Sequence, residues 1–355
     1  MSAKNIDPRQ LLGAIDEWAH ELGFAQAGIS SIDLSTEESH LQRWLDAGHH
    51  AGMDYMERHG MLRARPDELV PGTLSVISLR MNYLPAGTDM EARLADPEAA
   101  YVSRYALGRD YHKMIRKRLQ KLAARIAEAI GPFGYRVFTD SAPLLEKALA
   151  RNAGLGWVGK NTLILNRKAG SWFFLGEILT DLPLPASSEQ HRNHCGSCTA
   201  CLDLCPTRAF VAPHVLDAGR CISYLTIEYK GSIPEELRPL MGNRVFGCDD
   251  CQIVCPWNRF AQPTAEQDFL PRHDLDNSSL AGLFLWTEEE FLQRTEGSPI
   301  RRSGYEGWLR NLAIGLGNAP STIPVLEALQ ARRNHPSELV REHVEWALAR
   351  HGLKG

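Results

Sequence analysis

The sequence has 355 residues, of which 44% are hydrophobic and 23% are charged, and its net charge is −4 at pH 7. This length favours two or three domains, and the composition is that of a globular protein rather than a disordered one. No apolar run approaches the ~20 residues that a membrane-spanning helix requires, and the polar start at Met1–Arg9 lacks a signal-peptide pattern. We therefore expect a soluble, cytoplasmic protein without membrane contact.

Residues 1–187 predict an N-terminal domain in which helices alternate with strands, of the α/β (α+β) class. Apolar residues at helical spacing predict helices, and short apolar runs after turn residues predict strands. The predicted helices span 11–22, 40–47, 111–130 and 143–152, and Ser141 is the expected N-cap of the last one. The predicted strands span 24–29, 74–79, 135–139, 162–165 and 172–179, the last two being paired through a turn at 168–170.

A basic stretch runs along the predicted helix that begins at Tyr111. Between Arg104 and Arg125 there are eight Lys or Arg residues and only one acid, Asp110. A local basic face can bind phosphate groups even on an acidic protein. A solvated helix face accounts for the same pattern, so both interpretations stay open on this stretch alone.

Common cofactor motifs are missing from the N-terminal domain. No G-x-G-x-x-G follows a strand, and no phosphate-binding G-x-x-x-x-G-K-[ST] occurs. The glycines between Gly154 and Gly159 follow a predicted helix rather than opening one, which argues against a dinucleotide site. The D-x-H-x-x-G motif of base-off cobalamin domains begins at Asp110 and His112 but has Ile115 in place of glycine.

Asp140 is the candidate catalytic residue of this domain. It stands where the predicted strand 135–139 ends and the next helix begins, a usual position for ligand-contacting groups in open sheets. A carboxylate at this place can simply complement a helix N-terminus. If it faces an apolar cofactor instead, its pKa is expected to be raised, so that it could donate a proton.

All eight cysteines fall within the next segment, residues 188–262. Four of them form C-x2-C-x2-C-x3-C-P, the bacterial ferredoxin run, in which the fourth cysteine binds the other cluster of a two-cluster protein. This rule assigns one 4Fe–4S cluster to Cys195, Cys198, Cys201 and Cys255, and a second to Cys205, Cys221, Cys248 and Cys251. Zinc is the alternative ligand of paired cysteines, but the run does not have zinc-ribbon spacing.

Residues 263–355 predict an all-α C-terminal region. Helices are expected at 308–316, 323–329 and 339–351, and they resemble a short HEAT-like pair. A helical hairpin that merely caps the protein is an equal alternative.

Several motifs together make the whole chain resemble the epoxyqueuosine reductase family, whose members carry iron–sulfur clusters and cobalamin. The cysteine runs match, and so do segments 63–66, 108–112, 140–143, 154–161 and 247–252. One departure concerns position 147, where this chain has lysine and relatives usually have arginine. Lysine keeps the charge but loses the two-pronged geometry of a guanidinium group.

The resemblance implies reduction of the epoxide of epoxyqueuosine to queuosine at the wobble position of tRNA. In this mechanism electrons pass from an external low-potential donor through the clusters to cobalamin, and Asp140 donates the proton. The implied tRNA contacts are the Arg104–Arg125 stretch and five C-terminal arginines, and the protein is expected to act as a monomer. The implied cobalamin contacts are Arg63, Ser103, Asp140, Asn161, Ile164, Leu175, Ser223, Cys248 and Asp249; the arginines are Arg301, Arg302, Arg310, Arg332 and Arg333.

Three other functions compete with this interpretation, among them a zinc-binding RNA-interaction protein that would use the cysteines to hold zinc. A corrinoid reductive dehalogenase would perform related chemistry on a small molecule. A ferredoxin-like electron carrier would hold the clusters without any catalysis and would have no need of the N-terminal domain.

Overall fold

The computed structural model describes residues 8–87, 89–188 and 191–353, so the Met1–Arg9 segment of the signal-peptide prediction lies almost wholly outside the described residues. The described residues form sixteen α-helices: α1 Pro8–Glu21, α2 Ser35–Asp46, α3 Asp54–His59, α4 Pro66–Leu69, α5 Met90–Ala95, α6 Tyr111–Ile130, α7 Glu146–Asn152, α8 Ala200–Asp203, α9 Ile222–Ile227, α10 Arg238–Met241, α11 Asp250–Ile253, α12 Leu280–Phe284, α13 Glu288–Arg294, α14 Tyr305–Asn318, α15 Ile323–Ala331 and α16 Glu338–Arg350. They also form ten strands: β1 Gln26–Ser30, β2 Ser75–Asn82, β3 Tyr101–Val102, β4 Tyr135–Phe138, β5 Trp157–Val158, β6 Ile164–Leu165, β7 Phe173–Thr180, β8 Phe210–Ala212, β9 Val215–Leu216 and β10 Arg244–Phe246.

A four-stranded antiparallel sheet, in the order β1-β2-β7-β4, organises the N-terminal half of the chain. Successive residues of a strand point to opposite faces, and β2 is buried on both. Ile77 and Leu79 pack with residues of α1 and α6, whereas Val76 packs with Leu149 of α7 on the other face. The result is a mixed helix and sheet fold with helices on both faces of the sheet.

The predicted helix 111–130 has the bounds of α6, and the predicted strand 135–139 corresponds to β4. The predicted pairing of the last two strands is wrong: β6 pairs with β5, and β7 lies between β2 and β4. The turn itself is present, because Asn166 and Gly170 are bridged. A long strand such as β7 buries more apolar surface inside the sheet than in an isolated hairpin, which decides the pairing.

The prediction that Ser141 caps the next helix is also wrong. Helix α7 begins at Glu146, after Leu145, and no side chain caps it. Ser141 instead accepts a hydrogen bond from Arg116 Nη2 at 2.7 Å. The residues between β4 and α7 therefore form a loop that is tied to α6, and this loop carries Asp140.

The C-terminal helices share one apolar core with earlier parts of the chain. Trp308 and Leu312 of α14 pack in the same cluster as Val344 of α16, and Val102 and Phe246 belong to it too. These two residues come from β3 and β10, which pair in parallel and join the cysteine-rich segment to the N-terminal half. Among the described helices, none has the length and apolarity needed to cross a membrane.

Candidate active site and cluster-binding segments

Four cysteines come together at one end of the cysteine-rich segment. Cys195 and Cys198 lie on the turn that leads into α8, Cys201 lies on α8 itself, and Cys255 follows α11. All four line a cavity of about 200 Å³. Burial and the charges of the other three thiols raise the pKa of Cys201 to about 11.

The remaining four thiols form a second, more deeply placed group. The pKa of Cys251 is raised well above its usual value, first by burial and then by the charges of neighbouring groups, which include Cys221 and Cys205. Cys248 has Cys221 and Cys251 among its charged neighbours. The structure thus places Cys221, Cys248 and Cys251 near one another, with Cys205 as a further neighbour of Cys251, and the assignment of four cysteines to each cluster stays a prediction. The two groups adjoin each other, since Cys201 also acts on the pKa of Cys251.

A cavity of about 920 Å³ lies between the sheet, the second cysteine group and residues 297–302 of the C-terminal region. Its wall includes aromatic rings, among them Tyr105 and Phe174, and three thiols of the second group. Six of the residues predicted to contact a cofactor line it: Ser103, Asp140, Asn161, Ser223, Cys248 and Asp249. One chamber therefore joins the predicted proton donor to the deeper cysteine group.

Three other predicted contacts do not line this cavity. Ile164 and Leu175 pack together in a small apolar cluster behind its wall. Arg63 is buried, and its Nη2 donates to the carbonyl oxygen of Tyr55 at 2.9 Å. Its own carbonyl oxygen accepts the N–H of Leu145 at 3.0 Å, which ties down the loop that carries Asp140.

Asp249 joins the second cysteine group to β3. Its carboxylate accepts hydrogen bonds from Ser103 Oγ at 2.5 Å, Tyr101 Oη at 2.9 Å and the Arg104 N–H at 2.8 Å. The side chain is 1% exposed, so these donors replace water. Burial raises the pKa of Asp249 even though all three donors favour its ionised form. Asp249 thereby holds the segment Cys248–Cys251 in place.

Replacing Asp249 by alanine is expected to lower the free energy of unfolding by about 2–4 kcal/mol, because three buried donors lose their acceptor. Thermal unfolding and the iron content of anaerobically purified protein would measure both consequences. The exposed Asp203 supplies a control, and Asp203→Ala should leave the midpoint and the iron content nearly unchanged. Equal midpoints for the two variants would show that Asp249 does not anchor the segment.

Asp140 is held by two side chains of α6. Tyr111 Oη donates to Asp140 Oδ2 at 2.6 Å, and His112 Nε2 lies 3.2 Å from the same oxygen. The other ring nitrogen of His112 lies 2.6 Å from Asp110 Oδ1, so the imidazole bridges two carboxylates. Asp140 itself has a positive φ of 55°, and its side chain is half exposed toward the cavity. Such a backbone conformation is uncommon outside glycine and is maintained by its surroundings.

The pKa of Asp140 differs from what the sequence predicts, and the pKa of His112 is shifted as well. Burial would raise the pKa of Asp140, but hydrogen bonds from His112 and Tyr111 outweigh it and hold the pKa below its usual value. Burial alone would lower the pKa of His112, yet its bonds to Asp110 and Asp140 raise it to about 9. The predicted raised pKa of Asp140 is therefore wrong. At neutral pH the proton resides on His112, and Asp140 is its hydrogen-bonding partner.

A carboxyl pair that the sequence analysis missed lies beneath Asp140. The N–H of Asp140 donates to Glu146 Oε1 at 2.6 Å, and Glu146 is in hydrogen-bonding contact with Glu177 of β7. Glu177 is the only acid in a strand that reads FFLGEILT, and this interruption of an apolar strand could have indicated it. Lys147, the departure from the family pattern, lines the large cavity.

The predicted phosphate-binding arginines fall into two groups. Arg310 is 1% exposed and donates to the carbonyl oxygens of Leu225, Tyr229 and Gly231, so the prediction of a phosphate contact is wrong for this residue. It is wrong also for Arg104, which is 2% exposed. A buried guanidinium is retained because carbonyl groups or rings solvate it, and a phosphate cannot reach it.

Other predicted contacts remain accessible. Arg301 and Arg302 line the large cavity and are exposed. Along α6, Lys113, Lys117 and Lys121 are exposed at successive four-residue intervals, which places them on one face of the helix. We call these three residues the α6 lysine stripe.

A mixed helix and sheet fold, two groups of four cysteines and an acid-bearing cavity beside the deeper group define an iron–sulfur oxidoreductase. Two family models match the chain: epoxyqueuosine reductase QueG, DUF1730, over residues 63–141, and a 4Fe–4S double cluster binding domain over residues 194–258. The second match agrees with two clusters bound in the cysteine-rich segment.

Similar proteins cover nearly the whole chain. The epoxyqueuosine reductase of Pseudomonas aeruginosa is 72% identical over 98% of this chain and 96% of its own length. That of Escherichia coli is 57% identical over 97% of this chain and 90% of its own length. A crystal structure of epoxyqueuosine reductase with an epoxyqueuosine-modified tRNA-Tyr stem loop has a TM-score of 0.87 at 28% identity, covering 98% of this chain and 91% of that one. The chain belongs to the epoxyqueuosine reductase family.

Proposed function

We propose that this protein reduces the epoxide of epoxyqueuosine, at the wobble position of tRNA, to the cyclopentene of queuosine. The observation that carries the proposal is the cavity in which the His112–Asp140 pair faces the deeper cysteine group. Removal of the epoxide oxygen as water consumes two electrons and two protons, and this chamber places a proton donor beside an electron source. The relative solved with an epoxyqueuosine-modified stem loop supports the same substrate.

A bacterial strain without its own epoxyqueuosine reductase tests this function in cells. Expression of this chain should convert the epoxyqueuosine of its tRNA to queuosine, which nucleoside analysis by mass spectrometry detects. A strain that still accumulates the epoxide, although the protein is present with its iron, would contradict the proposal.

The cysteines are assigned to the clusters as the ferredoxin rule predicts. The first cluster takes Cys195, Cys198, Cys201 and Cys255, and the second takes Cys205, Cys221, Cys248 and Cys251. The grouping of their thiols around two adjoining places supports this assignment. Electrons from an external low-potential donor enter at the first cluster, because Cys198 is exposed. They leave from the second, because three of its thiols line the large cavity.

Cobalamin is the proposed cofactor of the large cavity. At about 920 Å³ the cavity is at the upper end of the volume usual for ligand sites. Its aromatic and apolar walls suit a broad, flat ring, and Ser103, Asn161, Ser223 and the Cys248–Asp249 backbone would hold it. Bound there, cobalamin would supply the strongly reducing cobalt centre that epoxide reduction requires. Arg63, Ile164 and Leu175 would support the wall from behind.

The chain's own residues supply the first of the two protons, and solvent supplies the second. His112 is charged at neutral pH and shares a hydrogen bond with Asp140 Oδ2. A proton that passes from His112 to Asp140 can be given to the departing epoxide oxygen, which would otherwise leave as an alkoxide. Tyr111 fixes the position of the carboxylate by donating to the same oxygen.

The chain is proposed to act as a monomer in the cytoplasm, divided into residues 1–187, 188–262 and 263–355. The first part would carry the cavity, the second the clusters, and the third, HEAT-like part would contact tRNA together with the α6 lysine stripe. Phosphate contacts position the anticodon arm, and the cavity receives the modified base. Arg116 joins the stripe to the Asp140 loop through Ser141.

A charge reversal in the α6 lysine stripe is expected to weaken tRNA binding. Lys117→Glu should raise KM for tRNA and lower the slope of log KM against log salt by roughly 0.7–0.9 for each phosphate that the variant no longer neutralises. Steady-state kinetics at several salt concentrations measure both changes. Arg43 is exposed on α2, away from α6, and Arg43→Glu is the matched control. If both variants change KM equally, the stripe is not a phosphate-binding surface.

A further inference from the structure

We propose that Glu146 and Glu177 share a proton and thereby hold the Asp140 loop in its catalytic position. This inference rests on the proposed function and extends it to two residues that do not touch substrate or cofactor. They are positioning residues, and their effect reaches the reaction through Asp140.

The carboxyl groups of Glu146 and Glu177 are in contact inside the fold, and this arrangement requires a proton between them. Glu177 lies on the inner strand β7, is 0% exposed, and pairs with Phe138, two residues before Asp140. Neither of its carboxyl oxygens accepts a hydrogen bond from an N–H or a hydroxyl among the described residues. Its hydrogen-bonding neighbour is the carboxyl of Glu146. Two carboxylates in contact cannot both ionise, so one carries the hydrogen that bonds them.

Glu146 transmits this arrangement to the loop. Its Oε1 accepts the backbone N–H of Asp140, the residue whose φ of 55° needs support from its surroundings. A carboxylate fixed on one side by a protonated partner presents its other oxygen to this N–H in one orientation. One relative, a Bacillus subtilis epoxyqueuosine reductase with 27% identity and a TM-score of 0.85, has been solved with its catalytic loop swung out of the active site. In this chain the carboxyl pair would hold the corresponding loop in the position that the structure shows.

The charged groups around the pair agree with a retained proton. Burial, followed by the charge and the hydrogen bond of Glu146, raises the pKa of Glu177 well above its usual value. Burial and then the charge of Asp140 raise the pKa of Glu146 to about 7, although its hydrogen bond with Glu177 lowers it. His112 opposes this shift at Glu146. Lys147 follows Glu146 on α7, and burial lowers the pKa of its ammonium group. Because the two acids titrate as a unit, the pair holds at least one proton across the neutral range.

Substitutions at Glu177 test the shared proton, in the holoenzyme with its clusters and cofactor. Glu177→Gln keeps a donor toward Glu146 at every pH, so kcat should stay within about threefold of wild type. Glu177→Ala removes the donor, so that the half-buried Glu146 carboxylate keeps only the N–H of Asp140 as a partner and is no longer fixed in orientation. Its kcat should fall about 100-fold, the cost of misplacing a catalytic group by roughly 1 Å, while KM for tRNA changes little. Glu128→Gln, an exposed change on α6, is the matched control.

Infrared spectroscopy gives a readout that does not depend on turnover. Wild type at neutral pH should show the carbonyl stretch of a protonated, buried carboxylic acid, and Glu177→Gln should lose it. Absence of this band from wild type, or its persistence in Glu177→Gln, would overturn the proposal. So would a Glu177→Gln variant as impaired as Glu177→Ala, because a negative charge rather than a shared proton would then be required. If wild type reduced no epoxyqueuosine while the band was present, the proposed function would fail and the shared proton would stand.

Discussion

Asp140→Asn is expected to lower kcat for epoxyqueuosine reduction about 1,000-fold, within the range that a positioned general acid contributes. The amide cannot accept the proton of His112 and pass it on, although it can still accept the hydrogen bond of Tyr111. Single-turnover assays with tRNA and a chemical reductant would measure the loss. Iron content should match wild type, since Asp140 binds no cluster. Asp67→Asn, an exposed change, serves as the control.

The dependence of kcat on pH should follow the protonation of His112. His112 has a folded-state pKa raised from 6.5 to about 9, so kcat should decline as the pH rises through about 9. The bonds of His112 to Asp110 and Asp140 also stabilise the folded protein, and this stabilisation declines with rising pH just as kcat does. It is complete below about 6.5, the pKa of an unperturbed histidine, and is lost as the pH passes the folded value. Full activity of Asp140→Asn, or a rate that does not fall above pH 9, would contradict the role of this pair.

Cys251→Ala is expected to abolish turnover, because it removes a ligand of the cluster that faces the large cavity. The iron content should fall from about eight to about four atoms per chain if one 4Fe–4S cluster is lost and the other is kept. Iron analysis, electron paramagnetic resonance of the reduced protein and the activity assay would establish this. The first cluster should still take up one electron from dithionite.

Ser197→Ala provides the comparison for this variant, since Ser197 is exposed on the first cysteine loop and is no ligand. It should keep both clusters and normal turnover. A Cys251→Ala protein that keeps about eight irons and reduces epoxyqueuosine at the normal rate would show that the cluster assignment is wrong.

The spacing of apolar residues predicted the bounds of the long helices and strands better than it predicted which strands pair. The bounds of α6 followed from its apolar spacing and from the glycine that closes it, since a 20-residue amphipathic helix leaves little choice of register. The pairing of β6 and β7 did not follow, because two strands that are close in the sequence can still pair with distant ones. The geometry of the Asp140 loop was likewise hidden, because its contacts with α6 and with the carbonyl oxygen of Arg63 are tertiary.

The candidate site was predictable where chemistry restricts the residue type. Cysteine spacing indicated both cluster groups, and the end of a strand indicated Asp140. The direction of the pKa of Asp140 was missed, because it depends on His112 and Tyr111, which lie 28 and 29 positions away. The burial of single side chains could not be predicted either. Arg310 was expected to bind phosphate, yet it donates hydrogen bonds to carbonyl oxygens inside the fold.

Conversion of epoxyqueuosine in purified tRNA tests the central claim most directly. The protein would be purified without oxygen, supplied with cobalamin and a low-potential reductant, and incubated with tRNA that carries epoxyqueuosine. Our account predicts that mass spectrometry finds queuosine, lighter by one oxygen atom, only when cobalamin and both clusters are present. Unchanged epoxyqueuosine in the complete mixture, or equal conversion without cobalamin, would contradict it.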